Sequence, residues 1–359
     1  MKVVIYDVSA EDKGGLFVLN DLYSSIIKNN DDIEWHLFVS SKEFKSCNNI
    51  IVHYFPKMSM VKRLLFEQIL INKEVNKISP DYVLSLQNIP LIFSKYRQLV
   101  YLHQSLQYCP VRFSFFRRSE RSLAIRQHII CNIYRLCLLR ADHIYVQTDW
   151  IKKATRKWLS INEKKISVVP ITISKNDVPD LEYIGMNSRC FFYPARAQQY
   201  KNHSVVIEAV KILKKSGIKD FEVVFTIDPT INEYASELQK KATQLPIKFV
   251  GDLPYEQVLE KYSRSILIFP SYLETCGLPL VEARVMNCVI IASNLPFSHE
   301  ALAGYSNALF FNYNNARDLA NHMRKILNKG YSYNKNNCKS FHKTQSLYSQ
   351  LVVDINHNV

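Results

Sequence analysis

The stretch "FPSYLETCGLPLVEARV", residues 269–285, decides how the chain is read. It continues a β-branched run, "SILIFPS", that reads as a buried strand ending at Ser271. A Gly-Leu-Pro break follows, with Pro279 suited to the start of a helix. Glu274 falls in the connecting loop and Glu282, eight residues on, in the expected first turn of that helix. Strand, loop and helix in this order form the repeating unit of a parallel α/β sheet, where ligands meet the loops at the carboxyl ends of the strands. The backbone N–H groups of Cys276, Gly277 and Leu278 sit at the helix start, where an anion can be held.

The same alternation extends outward in both directions. Strands are expected at "KVVIYDV", "IEWHLFV", "NIIVHYF", "DYVLSL", "LVYLHQ", "HIYVQT" and "KISVVP" in the first half, and at "CFFYP", "FEVVFTI", "IKFVG", "ILIFPS", "CVIIAS" and "LFFN" in the second. Helical patterns fall near 16–30, 60–77, 119–140 and 150–159, and in "HSVVIEAVKILKKSG", "YEQVLEKYSRS" and "ARDLANHMRKILNKG". The segment 173–189 is polar and aperiodic. The expected organisation is therefore an N-terminal Rossmann-like domain over 1–173, a linker over 174–189, a second Rossmann-like domain over 190–335, and a C-terminal helical segment, 336–359, packing back on the first domain. Two such domains would face each other across a central cleft.

Composition fits two globular domains. The chain has 359 residues, too many for one ordinary core, and 47% are hydrophobic. Its formal net charge is +14, and residues 1–173 hold 25 Lys+Arg against 15 Asp+Glu. A basic N-terminal half points to a phosphate-bearing partner: a nucleotide, an anionic lipid or a nucleic acid. Eight cysteines form no C-x-x-C pair, and several sit in apolar runs such as "RCFFYP", so neither a disulfide framework nor a zinc site is expected. The start "MKVVIYDVSAED" reads as a strand and not a signal peptide, and no apolar run reaches the length of a membrane span, about 18 residues. A cytoplasmic protein is expected.

On these residues, "FPSYLETCGLPLVEA" resembles the E-x7-E signature of retaining glycosyltransferases of the GT-B fold, family 4, also called group 1, of the bacterial surface-polysaccharide type. "FFYPARAQQYKNHSVVIEAVKIL" resembles that family's strand–loop–helix, whose Arg and Lys correspond to Arg196 and Lys201. "IKFVGDLPYEQ" resembles the segment lining the base pocket, around Gly251 and Leu253, and "SNLPFSHEAL" the loop bearing an acid, here Glu300. "AEDKGGLFVLNDLY" places Gly14 and Gly15 between a strand and a helix, where backbone can approach a phosphate or an acceptor closely. "VYLHQSLQY" resembles the segment with an inward-facing His near the donor sugar, here His103, and "IYVQTDWIKKA" offers Thr148. The chain departs from the pattern at Ala195, Cys276 and Asn287, where Gly, Phe and Gly are usual; these positions bear on sugar preference.

The resemblance implies a UDP-, GDP- or dTDP-sugar donor bound by the second domain and a glycan acceptor, in O-antigen or capsule synthesis, on the first. Arg196 and Lys201 would meet the diphosphate with the helix start at Cys276, Gly277 and Leu278; Glu274 would meet sugar hydroxyls and Glu282 the ribose. No cofactor is required, and the absence of a D-x-D triplet agrees with a metal-free mechanism. The competing readings are solvated acids at 274 and 282 and ordinary surface charge at 196 and 201. A nucleotide-sugar 2-epimerase or a non-catalytic nucleotide-sugar binder would share the fold. No helix-turn-helix, RNA-recognition or zinc signature supports a nucleic-acid partner.

The segment 111–140, "VRFSFFRRSERSLAIRQHIICNIYRLCLLR", carries seven arginines and one acid among apolar residues. Two readings stand. It is a basic amphipathic helix on the inner face of an anionic membrane, which would make the acceptor a polyprenyl-diphosphate-linked glycan, or it is a buried helix with a solvated basic face.

Overall fold

The computed structural model describes residues 1–8, 13–56, 60–171, 181–185, 188–335 and 346–357. In chain order the elements are β1 (Lys2–Asp7), α1 (Lys13–Asn29), β2 (Glu34–Val39), β3 (Ile50–Tyr54), α2 (Met60–Ile78), β4 (Tyr82–Ser85), β5 (Arg97–Leu102), α3 (Arg121–Ile125), α4 (Cys131–Leu138), β6 (His143–Val146), α5 (Asp149–Leu159) and β7 (Ile166–Val168). They continue as β8 (Cys190–Tyr193), α6 (His203–Lys215), β9 (Glu222–Phe225), α7 (Glu233–Lys241), β10 (Ile247–Phe249), α8 (Tyr255–Arg264), β11 (Ile266–Phe269), α9 (Leu278–Val285), β12 (Ile290–Ser293), α10 (Pro296–Ala301), β13 (Ala308–Phe311), α11 (Ala316–Leu327) and α12 (Leu347–Asn356). Every strand expected from a β-branched or aromatic run forms.

Two compact units result, one of Met1–Gln107, Arg126–Ile171 and Thr344–Val359, the other of Tyr108–Ile125 and Thr172–Lys343. The first holds a seven-stranded sheet, ordered β3-β2-β1-β4-β5-β6-β7, and the second a six-stranded sheet, ordered β10-β9-β8-β11-β12-β13. All pairings within both sheets are parallel. Parallel strands covered by helices on both faces must be apolar along their length, and β4, β6, β11 and β12 are buried at every position.

In the first unit the C-terminal helix α12 completes the core. Leu347, Leu351 and Ile355 bury among Val3, Ile5, Leu22 and Trp35. Tyr145 donates to Asp354 Oδ2 at 2.8 Å, and Tyr348 donates to Asp31 Oδ2 at 2.6 Å. In the second unit the core is aromatic: Tyr193 packs edge-on against Phe225 and Phe269, and Phe192 against Tyr262. Each fully buried ring of this kind contributes about 1.5–3 kcal/mol.

Three expectations need correcting. Tyr108–Ile125 belongs to the second unit, although the block 1–173 was expected to be one domain. Its Arg118 Nε lies 4.0 Å from Glu233 Oε2, and Cys109 and Glu120 act electrostatically on Tyr272. The helix expected over 119–140 begins at Arg121 and is interrupted by a π-helical stretch, Arg126–Ile130, between α3 and α4. Gly14 and Gly15 lie inside α1, not in the connection before it. Of the expected linker, residues 174–180 and 186–187 lie outside the described residues, as do 336–345 of the C-terminal segment.

Candidate functional site

The order of the second sheet sets the site. The chain lays down β8, β9 and β10 in one direction, then returns to place β11 on the other side of β8 and proceeds through β12 to β13. The loops leaving β8 and β11 are therefore neighbours at the topological switch point, where a crevice opens in sheets of this kind.

Backbone acceptors stitch the two loops together. Ser271 Oγ and the Tyr272 N–H both donate to the Tyr200 carbonyl, at 3.1 and 2.9 Å. Asn202 Nδ2 donates to the carbonyls of Pro270, at 3.1 Å, and Tyr313, at 2.8 Å. Asn202 has φ +59°, a left-handed conformation that Asn tolerates better than most residues. The buried Tyr193 hydroxyl donates to the Lys201 carbonyl at 2.9 Å.

This stitching brings Lys201 Nζ to 2.6 Å from Glu274 Oε1, with side chains only 18% and 14% exposed. Sheltered from water, the pair is a charge-assisted hydrogen bond stronger than a neutral one. It joins two residues 73 positions apart, each in the loop where it was expected.

Glu282 has different partners. It lies in the second turn of α9, a correction to the expected first turn, because the helix already begins at Leu278. Tyr262 donates its hydroxyl to Glu282 Oε2 at 3.1 Å, and Tyr255 makes a second side-chain hydrogen bond. Burial raises the Glu282 carboxyl above its usual range, and the two tyrosines oppose that rise.

Gly277 caps α9 with φ +66°, and a Cβ there would lie 3.2 Å from Leu280 Cδ1, so both conformation and space favour glycine. Pro279 stands in the first turn of that helix. Cys276 precedes the cap, and burial pushes its thiol up to about 12, which keeps it protonated and non-nucleophilic at neutral pH. Arg196 is exposed on the β8–α6 loop between two anchors. The Ala195 N–H donates to Thr226 Oγ1, and Asn232 Nδ2 to the Ala197 carbonyl, both at 3.1 Å. Gly251 and Leu253 lie between β10 and α8, with the Gly251 N–H on the Ile227 carbonyl at 3.2 Å. Glu300 falls within α10. His203, at the start of α6, is buried between the rings of Tyr193 and Phe225, and its pKa is pushed down to about 3, mainly by burial and then by Lys201.

In the first unit His103 directly follows β5. Its backbone N–H donates to Asn88 Oδ1 at 2.8 Å, which turns the Asn88 amide nitrogen toward His103 Nε2 at 3.2 Å. Nε2 thus accepts, and the proton sits on Nδ1. Burial lowers this imidazole to about 4, so it is neutral at pH 7. Thr148 is buried immediately before α5.

The structure thus joins Lys201 to Glu274 and sends the second acid to a pair of tyrosines. Tyr255, Tyr262, Asn202, Thr226, Asn232 and Asn88 were not singled out from sequence. Only the tyrosines carried a legible signal, since positions 255 and 262 are seven apart and share a face of one helix.

Residues 182–343 match the family model "Glycosyl transferases group 1". The O-antigen chain mannosyltransferase RfbU of Salmonella typhimurium is 24% identical over 185 residues, 50% of this chain and 49% of that protein. The capsular polysaccharide biosynthesis glycosyltransferase CapH of Staphylococcus aureus is 29% identical over 125 residues, 33% of this chain and 34% of that one. The aligned regions thus span about half or less of these curated relatives. Among solved structures, Anabaena HepE in complex with UDP and glucose superimposes with a TM-score of 0.69 at 12% identity, covering 100% of both chains. The lipopolysaccharide outer core galactosyltransferase WaaB gives 0.66 at 14%, also with 100% coverage of both. These likenesses establish the α/β GT-B fold, two Rossmann-like units each built on a parallel sheet.

Proposed function

We propose that the chain is a retaining glycosyltransferase of family 4 that moves a hexose-type sugar from a nucleotide-diphosphate sugar to a hydroxyl of a glycan acceptor in surface-polysaccharide synthesis. The Lys201–Glu274 pair at the β8/β11 switch point carries this reading. A largely sheltered cation and carboxylate, held on neighbouring loops by backbone hydrogen bonds, are the two charges that a sugar diphosphate needs: one for its phosphates, one for its hydroxyls. Without donor, each neutralises the other. With donor, the diphosphate takes the Lys201 ammonium and Glu274 turns to the sugar.

Arg196, exposed on the same loop, adds the second cation, and the start of α9 at Cys276, Gly277 and Leu278 adds backbone N–H groups. Glu282, oriented by Tyr262, accepts from the ribose diol, and the Gly251–Leu253 loop borders the base. As the glycosidic C1–O bond breaks, charge grows on the diphosphate and these donors stabilise it. The acceptor oxygen forms the new bond to C1 on the face the diphosphate leaves, and its proton passes to the departing phosphate oxygen. This route needs neither a protein nucleophile nor a metal ion. In the first unit, neutral His103 offers its Nδ1–H to a substrate hydroxyl. The group 1 match and the O-antigen and capsule relatives support a glycan acceptor, which in this reading is lipid-linked and met on the cytoplasmic side.

The test is product analysis with UDP-, GDP- and dTDP-sugars, with and without a glycan acceptor. A glycoside of unchanged anomeric configuration, formed only with acceptor, is expected. An epimerised sugar formed without acceptor would replace this reading with a 2-epimerase.

A further inference from the structure

The arginine-rich segment presents a face that differs from the one its sequence pointed to. Arg117 is held by Glu120 at 3.0 Å, Arg118 lies near Glu233, and Arg121 Nε donates to the Phe115 carbonyl at 3.2 Å. The distinctive surface lies further on, within the first unit. From the π-helical stretch through α4, Ile129, Ile133, Leu136 and Leu139 are exposed, Leu136 by 68%. Their spacing of four, three and three keeps them on one side of the helix. Arg126, Arg135 and Arg140 are exposed among them, and no acidic residue occurs between Glu120 and Asp142.

The opposite side of this helix is anchored. Gln127, Cys131, Cys137 and Leu138 are buried, and Gln104, next to His103, donates to Cys131 Sγ at 3.5 Å. Arg140 Nη1 donates to the Ile92 carbonyl at 2.9 Å, tying the turn that bears Phe93 to the helix end. Phe93 itself is 71% exposed. The helix and the turn tied to its end therefore offer five large apolar side chains, four from the helix and Phe93 from the turn, with arginines and no acid among them.

We propose that this face seats on an anionic lipid bilayer, the apolar side chains entering the headgroup boundary and the guanidinium groups meeting lipid phosphates. An exposed apolar stripe interspersed with cations is the composition of an interfacial helix. No helix among the described residues is long and apolar enough to cross a membrane, so the contact is a surface one. The inference stands apart from the transferase reading, because it requires neither donor nor acceptor.

Sedimentation with phosphatidylcholine vesicles, with and without phosphatidylglycerol, tests it. The full chain is expected to pellet with the anionic vesicles at low salt, to stay in solution with phosphatidylcholine alone, and to be partly released by salt. Arg126→Gln and Arg135→Gln should each lower the partition coefficient about fivefold. The triple change Ile129→Ser, Ile133→Ser, Leu136→Ser should lower it at least about tenfold with the circular dichroism spectrum unchanged. Ile133→Trp gives a direct probe, whose emission should shift to the blue on anionic vesicles. Wild type remaining in the supernatant at low salt, or no blue shift, would overturn the proposal. So would concentration-dependent dimerisation abolished by the triple change, which would make a second copy the occupant.

Discussion

The loops at the carboxyl ends of the two sheets are held in different ways. At the β8/β11 switch point the loops are bound to each other through Tyr200, Ser271, Asn202 and Tyr193, and the charged pair Lys201–Glu274 sits on top of that lattice. In the first unit the counterpart is one neutral imidazole, His103, steadied by one amide, Asn88. The difference follows from the proposed tasks. A diphosphate leaving group needs charges fixed in advance, because reorienting them during the reaction would cost what their preorganisation supplies. An acceptor hydroxyl needs orientation more than charge, so fewer groups serve it.

Changes in the second unit should accordingly have the larger effects. Glu274→Gln keeps size and one hydrogen bond to Lys201 but removes the charge; turnover should fall roughly 100- to 1,000-fold in a protein that still folds. Near-normal turnover would end the role given to the acid. Lys201→Ala should depress turnover comparably, and Arg196→Ala somewhat less, since Arg196 is exposed. In both, kcat should fall more than acceptor KM rises, because the charge they meet grows as the bond breaks. An effect confined to KM would show uniform binding instead.

Glu282 should act on affinity. Glu282→Ala is expected to weaken nucleotide binding by about 1–3 kcal/mol, and Tyr262→Phe by about 1 kcal/mol, through loss of the hydrogen bond that aims the carboxylate. Titration calorimetry with the nucleoside diphosphate reads both. If Tyr262→Phe matched wild type, the tyrosine would be a packing residue only.

Acid should weaken the second unit through His203. Its folded-state pKa, about 3, lies below the ordinary value of 6.5, so the unfolded chain binds the proton more readily. The stability it confers is complete above pH 6.5 and is lost as pH falls from there toward 3. Between pH 7 and pH 4 the loss is about 3 kcal/mol. His203→Phe, which retains ring packing with Tyr193 and Phe225, should flatten this part of the unfolding profile. An unchanged pH dependence would mean that other groups govern it. The smallest effect belongs to the first unit: Asn88→Ala should change acceptor kinetics by a few-fold through His103 and leave donor affinity untouched.

Much of the fold is legible in the sequence. Parallel strands buried on both faces must be continuous apolar runs, so "SILIF" and "CVIIAS" announced themselves, and the acids and cations stood out in the loops that follow such runs. What could not be read was which charged residue meets which. Glu274 and Glu282 are close in sequence, yet one turns to a lysine 73 positions away and the other to tyrosines on α8. Strand order decides this, and strand order is a non-local property. The transfer of Tyr108–Ile125 to the second unit was hidden for the same reason, and α7 because "EYASELQKK" offers few apolar positions. Asn88 and Asn202 act through left-handed backbone and amide hydrogen bonds that leave no periodic trace.

The most direct test of the central claim is thermal unfolding of wild type and Lys201→Ala with UDP, GDP and dTDP. If the Lys201–Glu274 loops hold a nucleotide diphosphate, one of the three should raise the wild-type midpoint in a concentration-dependent way. The same nucleotide should protect Lys201→Ala much less. Equal protection of the two proteins, or no protection of wild type by any of them, would contradict the assignment of this site.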